Sequence, residues 1–169
     1  MHRLILDASV IISWCDELGE LVVLESILEA GYAPVTTETV MGEVLSDGPM
    51  VDRVRSESEV VATDPGRRDE LSNRYLGLGS GELSVLVLGE EYESNGSEYF
   101  CVLDDGRART VCERLDLELK GSLGVFRDLI AEGVMELEEA DALVREMKAN
   151  GSRFPEDHLE LLQPTAMVE

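Results

Sequence analysis

Five carboxylates fall where a folded chain can bring distant segments to one edge. They are Asp7 behind "RLIL", Glu43 in "ETVMGEVL", Glu82 in "GSGELSVLVLG", and the neighbours Asp104 and Asp105 behind "YFCVL". Carboxylates gathered with no histidine or cysteine beside them form an all-oxygen donor set, which attracts hard cations such as Mg²⁺ or Mn²⁺. The same acids repel one another, so without a cation one of them holds a proton and ion binding is coupled to pH. Ser9, two residues past Asp7, has two readings of equal weight: it holds a metal-bound water or phosphate, or it N-caps the helix that follows.

Acids are abundant in this chain, so placement rather than presence singles them out. Of 169 residues, 36 are Asp or Glu against 14 Lys or Arg, a formal net charge of −22. Only Lys120 and Lys148 are lysines. A lysine-poor acidic surface suits a halophilic source, where molar salt shortens the Debye length to ~3 Å and self-repulsion fades. Cys15, Cys101 and Cys112 have neither the even count of a disulfide framework nor the spacing of a zinc site, and are expected to be reduced packing residues. The opening apolar run is broken by Asp7 and lacks a cleavage site, and no apolar stretch approaches ~18 residues. A soluble, cytoplasmic protein is expected.

The elements that must position the acids alternate in type. "RLIL" reads as a short buried strand, and residues 9–31 as a helix closed by Gly31. "YAPVTT" is a second strand, "ETVMGEVL" a helix with Val40, Val44 and Leu45 on one side, and "EVVAT" a third strand. "LSVLVL" fits a buried strand or a buried helix, and its Ser80-Gly81-Glu82 lead-in favours helix. Tyr99 to Leu103 is a strand, followed by a helix with Ala108, Val111, Cys112 and Leu115 at i, i+3, i+4, i+7. A short strand "LELK", two amphipathic helices closed by glycine, and a last helix opening near Pro155 complete the chain. Strands separated by helices predict a three-layer α/β/α sandwich around a mainly parallel sheet of four to five strands. The expected organisation is one domain over residues 1–163 and a frayed tail over 164–169.

Open α/β sheets bind ligands beyond the carboxyl ends of their strands. Asp7, Asp104 and Asp105 sit just past such ends, Glu43 joins from the helix after strand two, and Glu82 lies in a first helical turn where the dipole favours an anion.

Taken in order, "LILDASVII", "ETVMGEVL", "LGSGELSVLVLG" and "VLDDGRARTVCERLDLELKGSLGVF" resemble the motifs of a PIN domain, the nuclease fold of VapC-type toxins. The resemblance runs from Arg3 to Leu162. It is nearest a prokaryotic branch in which a Gly-Glu pair opens the third acidic motif and Asp-Asp-x-x-Ala-Arg follows the fourth strand. It implies one or two Mg²⁺ or Mn²⁺ ions and cleavage of RNA phosphodiesters, with Asp7 as central ligand, Glu43 as second acid, Glu82 as third, and Asp104 or Asp105 as fourth. Asp104 is the expected ligand and Asp105 the cap of the helix near Arg107. The chain departs from the toxin pattern in having Glu82 where aspartate is typical, and in lacking a clear Thr-x-Asp after the fourth strand. Paired metals about 4 Å apart activate a water in line with the leaving oxygen and absorb developing charge, which is what phosphodiester hydrolysis requires.

The net charge argues the other way, because nucleic-acid binding rests on a basic footprint. Ser9, Arg107 and Arg109 are the candidate substrate contacts, although the arginines fit a solvated face or salt bridges as well. Arg67, Arg68 and Arg74, or the Arg107 to Lys120 segment, offer a local basic strip. The second reading is a non-catalytic PIN-like module that binds a protein. The resemblance further implies an antitoxin-like inhibitor and a homodimer as partners; the lack of a long apolar run leaves no membrane partner expected. A phosphatase using aspartate is the weakest alternative, since the Asp-x-Asp pattern is interrupted by Ser9. His2 and His158 read as surface residues, and Trp14 as core.

Overall fold

The computed structural model describes residues 2–17, 21–44 and 49–164, with Asp16, Glu17 and Met50 described by backbone alone. Five strands, β1 (Arg3–Leu6), β2 (Ala33–Thr37), β3 (Glu59–Val61), β4 (Tyr99–Val102) and β5 (Leu119–Lys120), form one sheet in the order β3-β2-β1-β4-β5. Every pairing is parallel. Leu4, Ile5 and Leu6 are all buried, as a central strand covered on both faces requires. This is the α/β/α architecture that strand–helix alternation predicts.

The helices are α1 (Ala8–Ile11), α2 (Val22–Glu29), α3 (Glu38–Glu43), α4 (Pro49–Glu57), α5 (Pro65–Arg74), α6 (Ser80–Asn95), α7 (Gly106–Arg114), α8 (Ser122–Ala131), α9 (Leu137–Ala149) and α10 (His158–Leu162). Helix α6 contacts β1, β2 and β4 and buries every residue from Leu83 to Gly89. A helix buried nearly all round has no amphipathic period, and for that reason "LSVLVL" looks like a strand in sequence. Gly96, at φ 77°, ends it in the left-handed conformation that glycine adopts without a Cβ penalty.

Two boundaries differ from the sequence reading. Residues 9–31 are not one helix: α1 passes into a π-helical segment, Ile12–Glu17, before α2, and apolar spacing does not distinguish that wider turn from an α turn. The last helix opens at His158 rather than near Pro155, whose carbonyl instead accepts from Lys148 Nζ at 3.1 Å and from the His158 amide at 3.2 Å. His158 is also not a surface residue. It is 6% exposed, with Nε2 2.7 Å from Asp141 Oδ1 and Nδ1 2.8 Å from Lys148 Nζ, which fastens α10 to α9. Leu45 and residues 165–169, where the frayed tail was expected, lie outside the described residues. All three cysteines are buried thiols, and no helix among the described residues is long and apolar enough to cross a membrane.

Candidate functional site

The carboxyl ends of β1 and β2 meet the start of α6 through a buried chain of hydroxyls. Thr36 Oγ1 donates to the Leu6 carbonyl at 2.8 Å, tying β2 to β1. Thr37 Oγ1 lies 2.7 Å from Ser84 Oγ on α6 and also accepts the Val40 amide at 2.9 Å, which caps α3. Ser84 Oγ donates to the Gly81 carbonyl at 2.7 Å. Thr36, Thr37 and Ser84 have no exposed surface, so each unmet polar group would cost about 1–3 kcal/mol and the bonds fix where the three elements meet. These are the elements that carry Asp7, Glu43 and Glu82. Sequence reading missed this support; its signal was the pair of hydroxyl residues ending an otherwise apolar strand.

Asp7 follows β1 in extended conformation, 3% exposed, and accepts from Ser9 Oγ at 3.0 Å. It occupies the N-cap position of α1 but its side chain makes no cap bond. Burial raises its pKa above the ordinary aspartate value, and the charges of Glu43 and Asp105 raise it further, against the pull of the Ala8 amide and the Ser9 hydroxyl. A buried carboxylate whose neighbours are other carboxylates is not explained by surface solvation.

Glu43 closes α3 and is laid against Gly81. A Cβ at Gly81 would overlap Glu43 Oε1 and come 3.0 Å from its Cδ, so the glycine beside Glu82 makes room for the acid from α3. This gives the Gly81-Glu82 pair a steric reason. Glu82 Oε1 accepts the Gly79 amide at 3.0 Å at the start of α6. Burial pushes the Glu82 carboxyl up to about 7; the negative charges of Asp7 and Asp105, and a hydrogen bond with Asp105, add to the rise against the Gly79 amide. Glu82 is therefore the acid of this group whose carboxyl keeps its proton toward neutral pH.

Asp105 caps α7 as the sequence led us to expect, but it, rather than Asp104, is the one that faces the other acids. Asp104 turns to α8, where Oδ1 accepts the Ser122 amide at 2.8 Å and Oδ2 accepts the Ser122 hydroxyl at 2.5 Å. Asp105 accepts the Ala108 amide at 2.9 Å, capping α7, and it is Asp105 that faces both Asp7 and Glu82. The register explains which of the two faces Asp7. Leu6 pairs with Val102, so Asp7 stands level with Leu103, and the period of two carries the next same-side position to Asp105 and sends Asp104 to the other side.

Ser9 is engaged with Asp7, Arg107 donates to the Leu76 carbonyl at 3.1 Å, and Arg109 Nη1 donates to the Leu103 carbonyl at 2.8 Å. The other candidate strip is committed elsewhere. Arg67 forms a bidentate pair with Glu90 at 2.8 and 2.7 Å, Arg68 donates to Thr39 at 2.9 Å, and Arg74 lies over the Tyr75 ring. A cavity of about 650 Å³, lined by Ser9, Ser13, Asp104 and Asp105 among others, opens beside the carboxylates.

The family model described as a PIN domain matches residues 3–165. The chain belongs to the PIN domain family. PIN domains are a nuclease-type fold that generally uses divalent metal ions, and the all-oxygen composition of Asp7, Glu43, Glu82 and Asp105 suits such ions. Among the described residues, however, no three His, Cys, Asp or Glu side chains are close enough together to hold an ion. The donor chemistry of this PIN domain thus fits a hard cation, and its acids interact pairwise without closing into a group of three around one point. No curated protein matches the chain.

Proposed function

We propose that this PIN domain is a metal-dependent ribonuclease, its carboxylates binding Mg²⁺ or Mn²⁺ and its substrate an RNA phosphodiester. One observation carries the reading: Asp7, buried at the end of the central strand, interacts with Glu43, Glu82 and Asp105 from three other segments. Uncompensated carboxylates are expensive to keep in a folded protein, and a divalent cation offsets that cost. Asp7, Glu82 and Asp105 would hold the ion, with Glu43 set against Gly81 as the fourth acid. When bound, the ion supplies an activated water and charge stabilisation at the phosphoryl group.

The residues of the chain do the rest. Ser9 orients the Asp7 carboxylate by donating to Oδ2. The Gly79 amide holds one oxygen of Glu82, whose raised pKa means that it would have to give up a proton to serve as a ligand. Thr37 and Ser84 keep the ends of β2 and α6 together. A toxin of a toxin–antitoxin pair in a salt-rich cytoplasm is the biological setting we favour.

The deciding experiment is Mn²⁺-dependent cleavage of a labelled RNA pool by the parent protein and by Asp7→Asn. Cleavage by the parent that disappears in the variant is the expected result. Equal activity in both would assign any cleavage to a contaminant and leave a protein-binding module as the better reading.

A further inference from the structure

The chain carries 14 basic side chains against 36 acidic ones. Arg53, Arg55, Arg67 and Arg145 are ion-paired, and Arg3 and Arg74 lie over tyrosine rings. A cavity of about 420 Å³ beside the carboxylate rim is different. Arg109, Lys120, Arg127 and Arg153 all line it, so four of the chain's 14 basic side chains face one space. Arg127 and Arg153 are exposed, and neither is paired with a carboxylate among the described residues.

The other two cations are built into the walls. Arg109 is anchored by its bond to the Leu103 carbonyl and is admitted by Gly121, where a Cβ would come 2.5 Å from Nη1. One bond uses a fraction of a guanidinium's five donors. Lys120 pairs with Asp128 and sits 4.3 Å from the centre of the Phe100 ring. Burial lowers its pKa, and the nearby charge of Arg127 lowers it further, so the two cations crowd each other in a way that an anion would relieve. Asp104, the single acid among the described residues of the wall, has both oxygens engaged by Ser122.

Asp104, Arg153 and Phe154 also line the cavity that holds Ser9 and Asp105, so the two spaces adjoin across these residues. A polyanion seated in the basic cavity therefore extends toward the acidic rim. Half-buried Phe154 stands at the junction, where a base can stack on its ring.

We propose that the cavity between β5, α8 and the 151–155 turn is a phosphate-binding subsite. It holds a backbone phosphate of single-stranded RNA next to the bond cleaved at the carboxylate rim, with Phe154 stacking the intervening base. This rests on the nuclease reading and supplies a local basic footprint in a chain whose net charge is acidic. Arginine suits the task, because its planar fork donates two parallel hydrogen bonds to phosphate and holds on at ionic strengths that screen a point charge.

The test uses the full chain carrying Asp7→Asn, so that RNA is bound without being cut. Fluorescence anisotropy with a labelled single-stranded RNA decamer is measured over a KCl series. Adding Arg127→Gln and Arg153→Gln is expected to weaken binding about 10-fold or more and to lower the slope of log K against log salt by about 1 to 2. Adding Phe154→Leu instead should weaken binding a few-fold with the slope unchanged, since stacking releases no counterions. Arg53→Gln with Arg55→Gln, an equal charge change on α4, should do neither. An unchanged affinity and slope in the Arg127/Arg153 variant, or no RNA binding by the Asp7→Asn protein, overturns the subsite. Capture of a polyglutamate peptide with the same arginine dependence, in place of RNA, overturns it in favour of a protein partner. The two readings fail separately. Cleavage that requires Asp7 but ignores both arginines removes the subsite alone, whereas arginine-dependent RNA binding by a parent that cleaves nothing removes the nuclease reading and keeps the subsite.

Discussion

Replacing Glu82 by glutamine removes a charge while keeping its hydrogen bonds, because an amide oxygen still accepts the Gly79 amide and an amide nitrogen still donates to Asp105. The metal-free parent carries Glu82 with a pKa raised from 4.5 to about 7. The folded state therefore binds the proton more tightly than the unfolded chain does. Stability falls as pH rises from 4.5 through about 7, and the deficit is complete above that window. At full weight the shift corresponds to about 3 kcal/mol. Glu82 is only half-buried, so solvent screening reduces this to about 1–2 kcal/mol. Glu82→Gln should accordingly be more stable than the parent by about 1–2 kcal/mol at pH ~8 and equal to it at pH ~4. In a chain of this size that is a rise in melting temperature of roughly 2–8 °C. Thermal melts of both proteins in EDTA at three pH values measure it. A difference that does not vary with pH, or a variant less stable at pH ~8, would refute the view that carboxylate repulsion and burial set the energetics of the rim. Added Mn²⁺ should reverse the order, since the parent gains binding energy that the variant has partly lost.

Asp105→Asn should keep the α7 cap and its stability while cleavage falls about 100-fold, whereas Asp104→Asn should lose about 1–2 kcal/mol through its Ser122 bonds and cleave within about 10-fold of the parent; paired melts and RNA assays separate the two. Gly81→Ala should displace the Glu43 carboxylate and reduce cleavage about 100-fold with stability within about 1 kcal/mol, as read by kinetics and denaturant melts. Thr37→Val, which removes the α3 cap and a buried bond to Ser84, should cost about 1–3 kcal/mol in urea unfolding; a smaller loss would mean that the hydroxyl chain does not tie β2 to α6. With 22 uncompensated negative charges, the melting temperature should rise by several degrees between about 0.1 and about 2 M KCl, and a flat profile would remove the halophilic reading.

The parallel sheet was legible because strands and helices alternate, and the acids could be picked out because strand ends in such sheets face ligands. What sequence could not reveal was register. Which of Asp104 and Asp105 faces Asp7 depends on Leu6 pairing with Val102, a contact between residues 96 positions apart that no local period encodes. The position of His158 was hidden for a related reason: its partners Asp141 and Lys148 lie on another helix, so its own neighbours in sequence say nothing of its burial. Gly81 was visible as part of a motif, but its purpose depends on where α3 delivers Glu43. The basic cavity was the least legible feature. Arg109, Lys120, Arg127 and Arg153 are spread along the chain, and overall composition points away from any cationic surface.

Trp14 is the only tryptophan in the chain, buried, with its indole Nε1 donating at 2.9 Å to the Ser122 hydroxyl that in turn donates to Asp104. A fluorophore in that position is a built-in optical probe. Its emission energy follows the strength of the hydrogen bond on the indole, and that bond is polarised through Ser122 by a carboxylate on the wall of the basic cavity. An anion arriving beside Asp104 changes the field along this relay, so the protein's own ultraviolet emission should register ligand occupancy without any label. The three buried cysteines leave the described surface clear of thiols, so a fluorescent dye can be attached to one engineered cysteine and paired with the same indole for energy-transfer distances.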